Sequence, residues 1–227
     1  MAAAAPAAAS RATRAAAPRT KWGDREGRRR DILRAAREQI AANGYLSLNM
    51  REIAKGAGVS AGTLYSYFAT KEEIFATLYA EEIAAHNERV RVIGERATDL
   101  EGLVRDLATA YLDLYAAYGR YFTTWSALVD EDKHAGATLP PELGHALRTA
   151  ALAQGEIISE AVARVADAAG VGLRDPEMVP LLLWTAFNGL GDHVTSGRHH
   201  LTPFSTDQLI DATARTLAAG LVTEPTS

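Results

Sequence analysis

The stretch Ala57–Phe75, "AGVSAGTLYSYFATKEEIF", decides the fold. Gly58 and Val59 make a tight turn. Ser60 then suits a helix N-cap, because its hydroxyl accepts from the first free backbone N–H groups. On a wheel of ~100° per residue, Leu64 and Phe68 fall together and predict a buried side. Gly62, Thr63, Ser66 and Tyr67 fall opposite, with Ala61 and Tyr65 at the edge. The exposed face is therefore slim at its N-terminal end and rich in hydroxyls. A helix built only for packing has little use for them. A helix that enters the ~12 Å major groove of DNA needs a narrow tip. Hydroxyls suit phosphates and base edges, and the amides after Ser60 carry the positive end of the helix dipole. Arg51 and Lys71 are placed to clamp the phosphate backbone. A plain three-helix packing unit with exposed tyrosines is the alternative.

Upstream, "NMREIAKGAG" begins with Asn49 as N-cap and Glu52 three residues on, the form of a capping box. Met50, Ile53, Ala54 and Ala57 are its expected buried side. Before it, "GRRRDILRAAREQIAANG" reads as a helix ended by Gly44, with Ile32, Leu33, Ala36 and Ile40 on one stripe. Downstream, Thr70 and Glu73 form a second capping-box pair and open a fourth helix that runs to about Ile93. Two short helices joined by "GAGV" are the pattern of a helix-turn-helix.

Charge divides the chain at the same place. The net charge is −4, yet residues 1–71 hold 13 Lys and Arg against 5 Asp and Glu, while residues 72–227 hold 11 against 23. A basic head on an acidic body points to a polyanion-binding head. Residues 1–22 are Ala-, Pro- and Arg-rich, a disordered basic arm by composition. Arg11, Arg14, Arg19 and Lys21 suit phosphate or minor-groove contact, with a solvated tail as the simpler reading.

At these residues the chain resembles the TetR family of transcriptional regulators. The matching pieces are Gly44, Ile53 and Ala54, then Ala57-Gly58-Val59-Ser60, Gly62-Thr63-Leu64-Tyr65, Tyr67-Phe68, and Lys71-Glu72 followed by Ile74. They run without gaps over about residues 28–80. Two positions depart from the family pattern. Asn49 replaces the usual Thr and caps equally well, and Tyr67 stands where the family often has His.

The resemblance implies an all-α fold with a three-helix DNA-binding domain over 23–70. It implies a larger ligand-binding and dimerisation domain over 71–221, with a flexible tail at 222–227. It implies DNA contacts from Arg51, Ser60, Ala61, Gly62, Thr63, Tyr65, Ser66, Tyr67 and Lys71. Ala61, Gly62, Thr63 and Ser66 would lie nearest base edges, with Ala61 against a thymine methyl. The partners it implies are double-stranded DNA, a small-molecule ligand and a second copy of the chain. Two heads of a homodimer would sit ~34–36 Å apart on a palindrome, or wider on a longer operator. The dimer interface would lie on 176–196 and 205–221. The expected function is a repressor released from its operator by ligand. The alternatives are a ligand-dependent activator, or an effector-free or architectural DNA-binding protein.

The body also reads as helices, about nine for the whole chain, with no convincing strand alternation. "LEGLVRDLATAYLDLYAAYG" breaks at Gly119, and "RYFTTWSALVDED" is another helix. After a loop to Pro141, a long helix runs to Ala169, stopped by Gly170. Asp175-Pro176-Glu177 is expected to open a helix to about Ser196, and Ser205 with Gln208 opens the last, ending near Gly220. Tyr111, Tyr115, Tyr118, Phe122 and Trp125 fall on one helical stripe. Such a stripe is either core or a cavity wall, and three tyrosine hydroxyls fit a ligand cavity. "PLLLWTAFNGLGDHVTSG" is apolar nearly all round and so buried on more than one side. Trp184 and Asn188 join the expected ligand contacts. Leu183, Phe187, Leu190 and Val194, with Leu209, Thr213 and Leu217 of the last helix, are the expected dimer contacts.

Other chemistries find little footing. The sequence has no cysteine, so thiolate metal sites and disulfides are excluded and a reducing cytoplasm fits. No apolar run reaches the ~18 residues of a membrane span. His193, His199 and His200 lack helical metal-ligand spacing, so no metal is expected. His145 reads equally as a pocket or a surface residue. No Gly-rich phosphate loop, nucleophile elbow or carboxylate pair suggests an enzyme or a cofactor.

Overall fold

In the computed structural model, the described residues are 24–119 and 139–223. They form eight α-helices: α1 Arg25–Asn43, α2 Met50–Ala57, α3 Ala61–Tyr65, α4 Lys71–Arg96, α5 Leu100–Tyr118, α6 Pro141–Ala169, α7 Val179–Thr195 and α8 Thr206–Leu221. The chain is all-α, and the described residues hold no strand beyond one isolated antiparallel bridge between Leu173 and Val222. The expected helix at 120–132, the arm at 1–22 and most of the tail at 222–227 lie outside the described residues.

Caps cut the head into its short pieces. Asp24 accepts from the Gly27 N–H at 2.7 Å and starts α1. Asn49 accepts from the Arg51 and Glu52 N–H groups. The expected capping box is only half made, because the Asn49 N–H is taken by Gln39 Oε1 of α1 and Glu52 turns to Lys55. Gly58 ends α2 at φ 67°, the left-handed region that glycine enters without steric cost. Thr70 caps α4, but Glu73 reaches back to the Ala69 N–H and not to Thr70. The third helix is shorter than expected. Its regular part ends at Tyr65, and Ser66 and Tyr67 lie in a turn.

Two apolar clusters hold the molecule. The first joins Ile32, Ile53, Leu64 and Phe68 of the head to Ile74, Phe75, Leu78 and Tyr79 of α4, and reaches Leu114, Tyr118 and Leu147. The head's core therefore continues past residue 70 into the base of the body. The second lies among α4–α8, around Leu103, Val162, Leu183 and Ala214. Within it α4 packs along α6, and α5 against α7 and α8. Gly94 allows the α4–α6 crossing, since a Cβ there would stand 2.8 Å from Ala161 Cβ.

The expected start of α7 is corrected. Asp175 has φ 46° and makes no side-chain cap. Pro176–Met178 is a 3₁₀ turn, and the α-helix begins at Val179, with Pro180 in its first turn where a missing N–H costs nothing. Ser205 and Gln208 form a complete capping box at α8.

Much of the expected dimer stripe faces this chain's own core. Leu183, Phe187 and Leu190 are buried in this chain's own second cluster. Val194, Leu209 and Leu217 are half-buried against the same cluster, and Thr213 is half-buried. What α7 presents outward is Leu181, Leu182, Thr185, Gly189 and Asp192. An all-apolar helix carries no sequence mark for which face meets its own core.

Candidate nucleic-acid interface and ligand cavity

The tip of α3 is built by its own caps. Ser60 Oγ accepts from the Thr63 N–H at 3.0 Å and lies 2.9 Å from Thr63 Oγ1. Ser66 Oγ donates to the Thr63 carbonyl at 2.7 Å. Ser60, Ala61, Gly62 and Ser66 are exposed, Tyr65 is 55% exposed, and Thr63 is half-buried. A Cβ added at Gly62 would meet only Ser60 Oγ, at 3.9 Å. Glycine inside a helix costs ~1 kcal/mol relative to alanine. No neighbour in the fold requires it here, so the missing side chain leaves room for something outside.

Arg51 is exposed on α2. Lys71 is half-buried, its Nζ 5.4 Å from the centre of the Tyr45 ring. Tyr45 donates to Glu72 Oε1 at 3.4 Å, and burial, with the Glu72 charge second, pushes its hydroxyl up to about 12. Tyr67 is not on the open face that the wheel gave it. It is half-buried against the first cluster, because the chain has left the helix by that point.

Sequence reasoning missed the start of α1. The Arg25 guanidinium lies 5.6 Å from the Tyr67 ring centre and that of Arg29 lies 5.4 Å from Phe68. Asp24, Arg25, Arg28, Ser66 and Tyr67 line a shallow cavity of about 410 Å³. Basic side chains at a helix N-terminus oppose its dipole. The run "REGRRR" was the available signal for an anion site there.

The body encloses a second kind of site. A cavity of about 280 Å³ lies among α4, α5, α6 and α7. Its aromatic wall is Tyr79, Tyr111, Trp184 and Phe187, with Ile83, Leu114, Ile158 and Leu181 as aliphatic lining. Gln154 supplies the one amide side chain, and none of the described lining residues is charged. Leu181 is 52% exposed and Trp184 40%, so the mouth is apolar too. Asn188 does not line it. Its amide donates to the Trp184 carbonyl at 2.9 Å.

The predicted aromatic stripe is divided. Tyr111 faces this cavity, whereas Tyr115 and Tyr118 line a separate cleft of about 600 Å³ between α1 and α5, with Arg37, Glu82 and Asp113. Tyr115 also covers Gly191, where a Cβ would stand 2.6 Å from its ring. Phe122 and Trp125 lie outside the described residues.

His86 of α4 was not foreseen. It is 1% exposed, its ring 6.4 Å from that of Tyr111, and burial, with Arg89 second, pushes its imidazole down to about 4. His145 is exposed on α6 and does not line the cavity. His193 and His199 stand edge to face at 5.8 Å, and among the described residues no three His, Cys, Asp or Glu side chains are placed to hold a metal. No described helix is long and apolar enough to cross a membrane.

Residues 32–78 match the family model of bacterial regulatory proteins, tetR family. The fatty acid metabolism regulator protein of Bacillus subtilis (strain 168) is 45% identical over 73 residues, 32% of this chain and 38% of that protein. The HTH-type transcriptional repressor KstR2 of Mycobacterium tuberculosis is 40% identical over 52 residues, 23% of this chain and 26% of its own. The alignments thus span well under half of these relatives. Among solved structures, the transcriptional regulator FadR from Bacillus subtilis in complex with stearoyl-CoA aligns over 85% of this chain and 99% of its own, at TM-score 0.61 and 18% identity. The fatty acid degradation regulator FadR from Bacillus halodurans covers 88% and 97%, at TM-score 0.58 and 20% identity. At those identities the likeness is one of fold.

Proposed function

We propose that this chain, whose head matches the tetR family of bacterial regulatory proteins, is a dimeric, cytoplasmic DNA-binding repressor released from its operator by a small-molecule ligand. The observation that carries the DNA reading is Gly62. It is an exposed helical glycine with open space beyond its Cα, at a tip capped by Ser60. In this reading 23–70 is the reader. Ala61, Gly62, Thr63 and Ser66 approach base edges, and Tyr65, Tyr67 and Lys71 take phosphates. Arg25 and Arg28 add an anion site at the start of α1, where a phosphate would relieve the unfavourable dipole.

Residues 71–221 form the sensor and the dimer contact. The uncharged lining suits an apolar ligand, and the acyl chain of the stearoyl-CoA held by the FadR relative is a group of that kind. The outward face of α7, from Leu181 and Leu182 to Gly189, is the surface that the second copy would cover. A ligand lowers operator affinity by as much as it prefers the conformation that binds DNA poorly.

The test is selection of bound duplexes from a random pool by the full chain, followed by titration of acyl-CoA esters into the complex. Enrichment of a two-fold symmetric site, released by a ligand that also raises the melting temperature, is the expected result. Enrichment of no sequence would overturn the reading.

A further inference from the structure

A row of aromatic rings leads from the cavity to the head. Tyr79 walls the cavity and is buried. One turn earlier on α4, the Phe75 ring lies parallel to it, 2° between planes and 6.2 Å between centres. Phe75 meets Tyr45 at 4.5 Å, the closest ring pair of the row. Tyr45 sits in the 3₁₀ turn Tyr45–Ser47 between α1 and α2, and its ring carries Lys71 Nζ at 5.4 Å. From α5, Tyr118 braces both Phe75 and Tyr79, at 5.9 and 5.8 Å.

We propose that Tyr79 reports occupancy of the cavity to Lys71 through Phe75 and Tyr45, so that a filled cavity moves Lys71 off its ring. This rests on the ligand-responsive reading given above and names its route. Close-packed interiors transmit displacement because they have little free volume to absorb it. Tyr118 blocks sideways escape, so a shift of Tyr79 is passed along the row. At its end, Lys71 holds its place by a cation–π contact that depends on where the Tyr45 face lies. Phe75 and Tyr45 are positioning residues, since neither lines the cavity.

Occupancy can be imitated without knowing the ligand. Gly155 lines the cavity, and a Cβ there would stand at an ordinary 3.8 Å from Pro180 Cβ. Gly155→Met therefore fills the space from within, and Gly155→Ala is too short to do so. The readout is the ε-methylene carbon-proton signal of Lys71 in full-length protein labelled at lysine, assigned by Lys71→Arg. The Tyr45 ring current displaces that signal from the position of exposed Lys55.

In the otherwise native chain, Gly155→Met is expected to move the Lys71 signal toward that of Lys55, and Gly155→Ala to leave it in place. With Phe75→Leu the effect of Gly155→Met should vanish, and with Phe75→Tyr it should return. Tyr79→Leu serves the same purpose should Phe75→Leu fail to fold. A Lys71 signal that ignores Gly155→Met, or that responds equally after the row is broken, overturns the proposal. Operator binding measured on the same variants separates the two readings. A Lys71 that moves with no loss of DNA affinity leaves the route standing and removes Lys71 from the operator contact.

Discussion

The head and the body solve the same packing problem with different materials. In the head, helices of 8 and 5 residues are delimited by side chains that bond within three residues of themselves, at Asn49, Ser60 and Thr70. In the body, helices of 26 and 29 residues run alongside one another and leave a cavity between them. The head keeps an exposed glycine that its own packing does not need. The body keeps a buried histidine that lacks a hydrogen bond at Nδ1. Each is a local cost that the surrounding packing does not repay.

The sharpest way to break this contrast is at the tip of α3. Gly62→Leu is expected to reduce specific operator affinity by about a thousandfold, toward the non-specific level. The melting temperature should hold or rise, because leucine is the better helix former. A variant that binds as before would return Gly62 to ordinary surface.

The body's counterpart is His86. The unfolded chain takes up its proton near the ordinary value of 6.5, while the folded chain resists down to about 4. Stability is therefore lost as pH falls through that window, by an amount on the order of 3 kcal/mol below pH 4. Denaturant unfolding of His86→Leu beside the native chain should show a shallower loss over pH 6.5 to 4. Parallel curves would mean that His86 charges without cost.

Gly94→Ala probes close packing where α4 crosses Ala161. With a Cβ at 2.8 Å, a loss of ~1–3 kcal/mol is expected. Operator affinity, measured well below the melting temperature, should change little. Asn49→Ala should cost about 1 kcal/mol through the lost cap of α2, read by thermal unfolding. The smallest effect is that of Lys71→Ala, which should lower the slope of log affinity against log salt by about one. An unaltered slope would remove its phosphate contact.

The head was legible because its interactions are short in sequence. Asp24, Asn49, Ser60 and Thr70 each accept from an N–H two or three residues on, and Gly58 turns the chain where its φ requires it. The second half of both capping boxes in the head was misjudged, as were the end of α3 and the side on which Tyr67 lies. At the boxes Gln39, from another helix, and the Ala69 N–H offered partners that spacing could not rank. In α7, apolar residues surround the helix, so Leu183, Phe187 and Leu190 carried no sign that they face inward. The cavity was harder still. Its described walls come from residues 79 to 187 on four helices, and of the described members of the aromatic stripe, Tyr111 alone reaches it.

The sequence by itself determined the described helices to within their ends, the turn at Gly58 and the slim hydroxyl-bearing tip, because caps, glycine and helical period act over a few residues. Tertiary structure alone decided which face of α7 is core, that Tyr79 and not Tyr118 walls the cavity, and that Tyr45 lies between Phe75 and Lys71. Those outcomes depend on how helices far apart in the chain cross, which is set by the fit of whole faces and by no local signal.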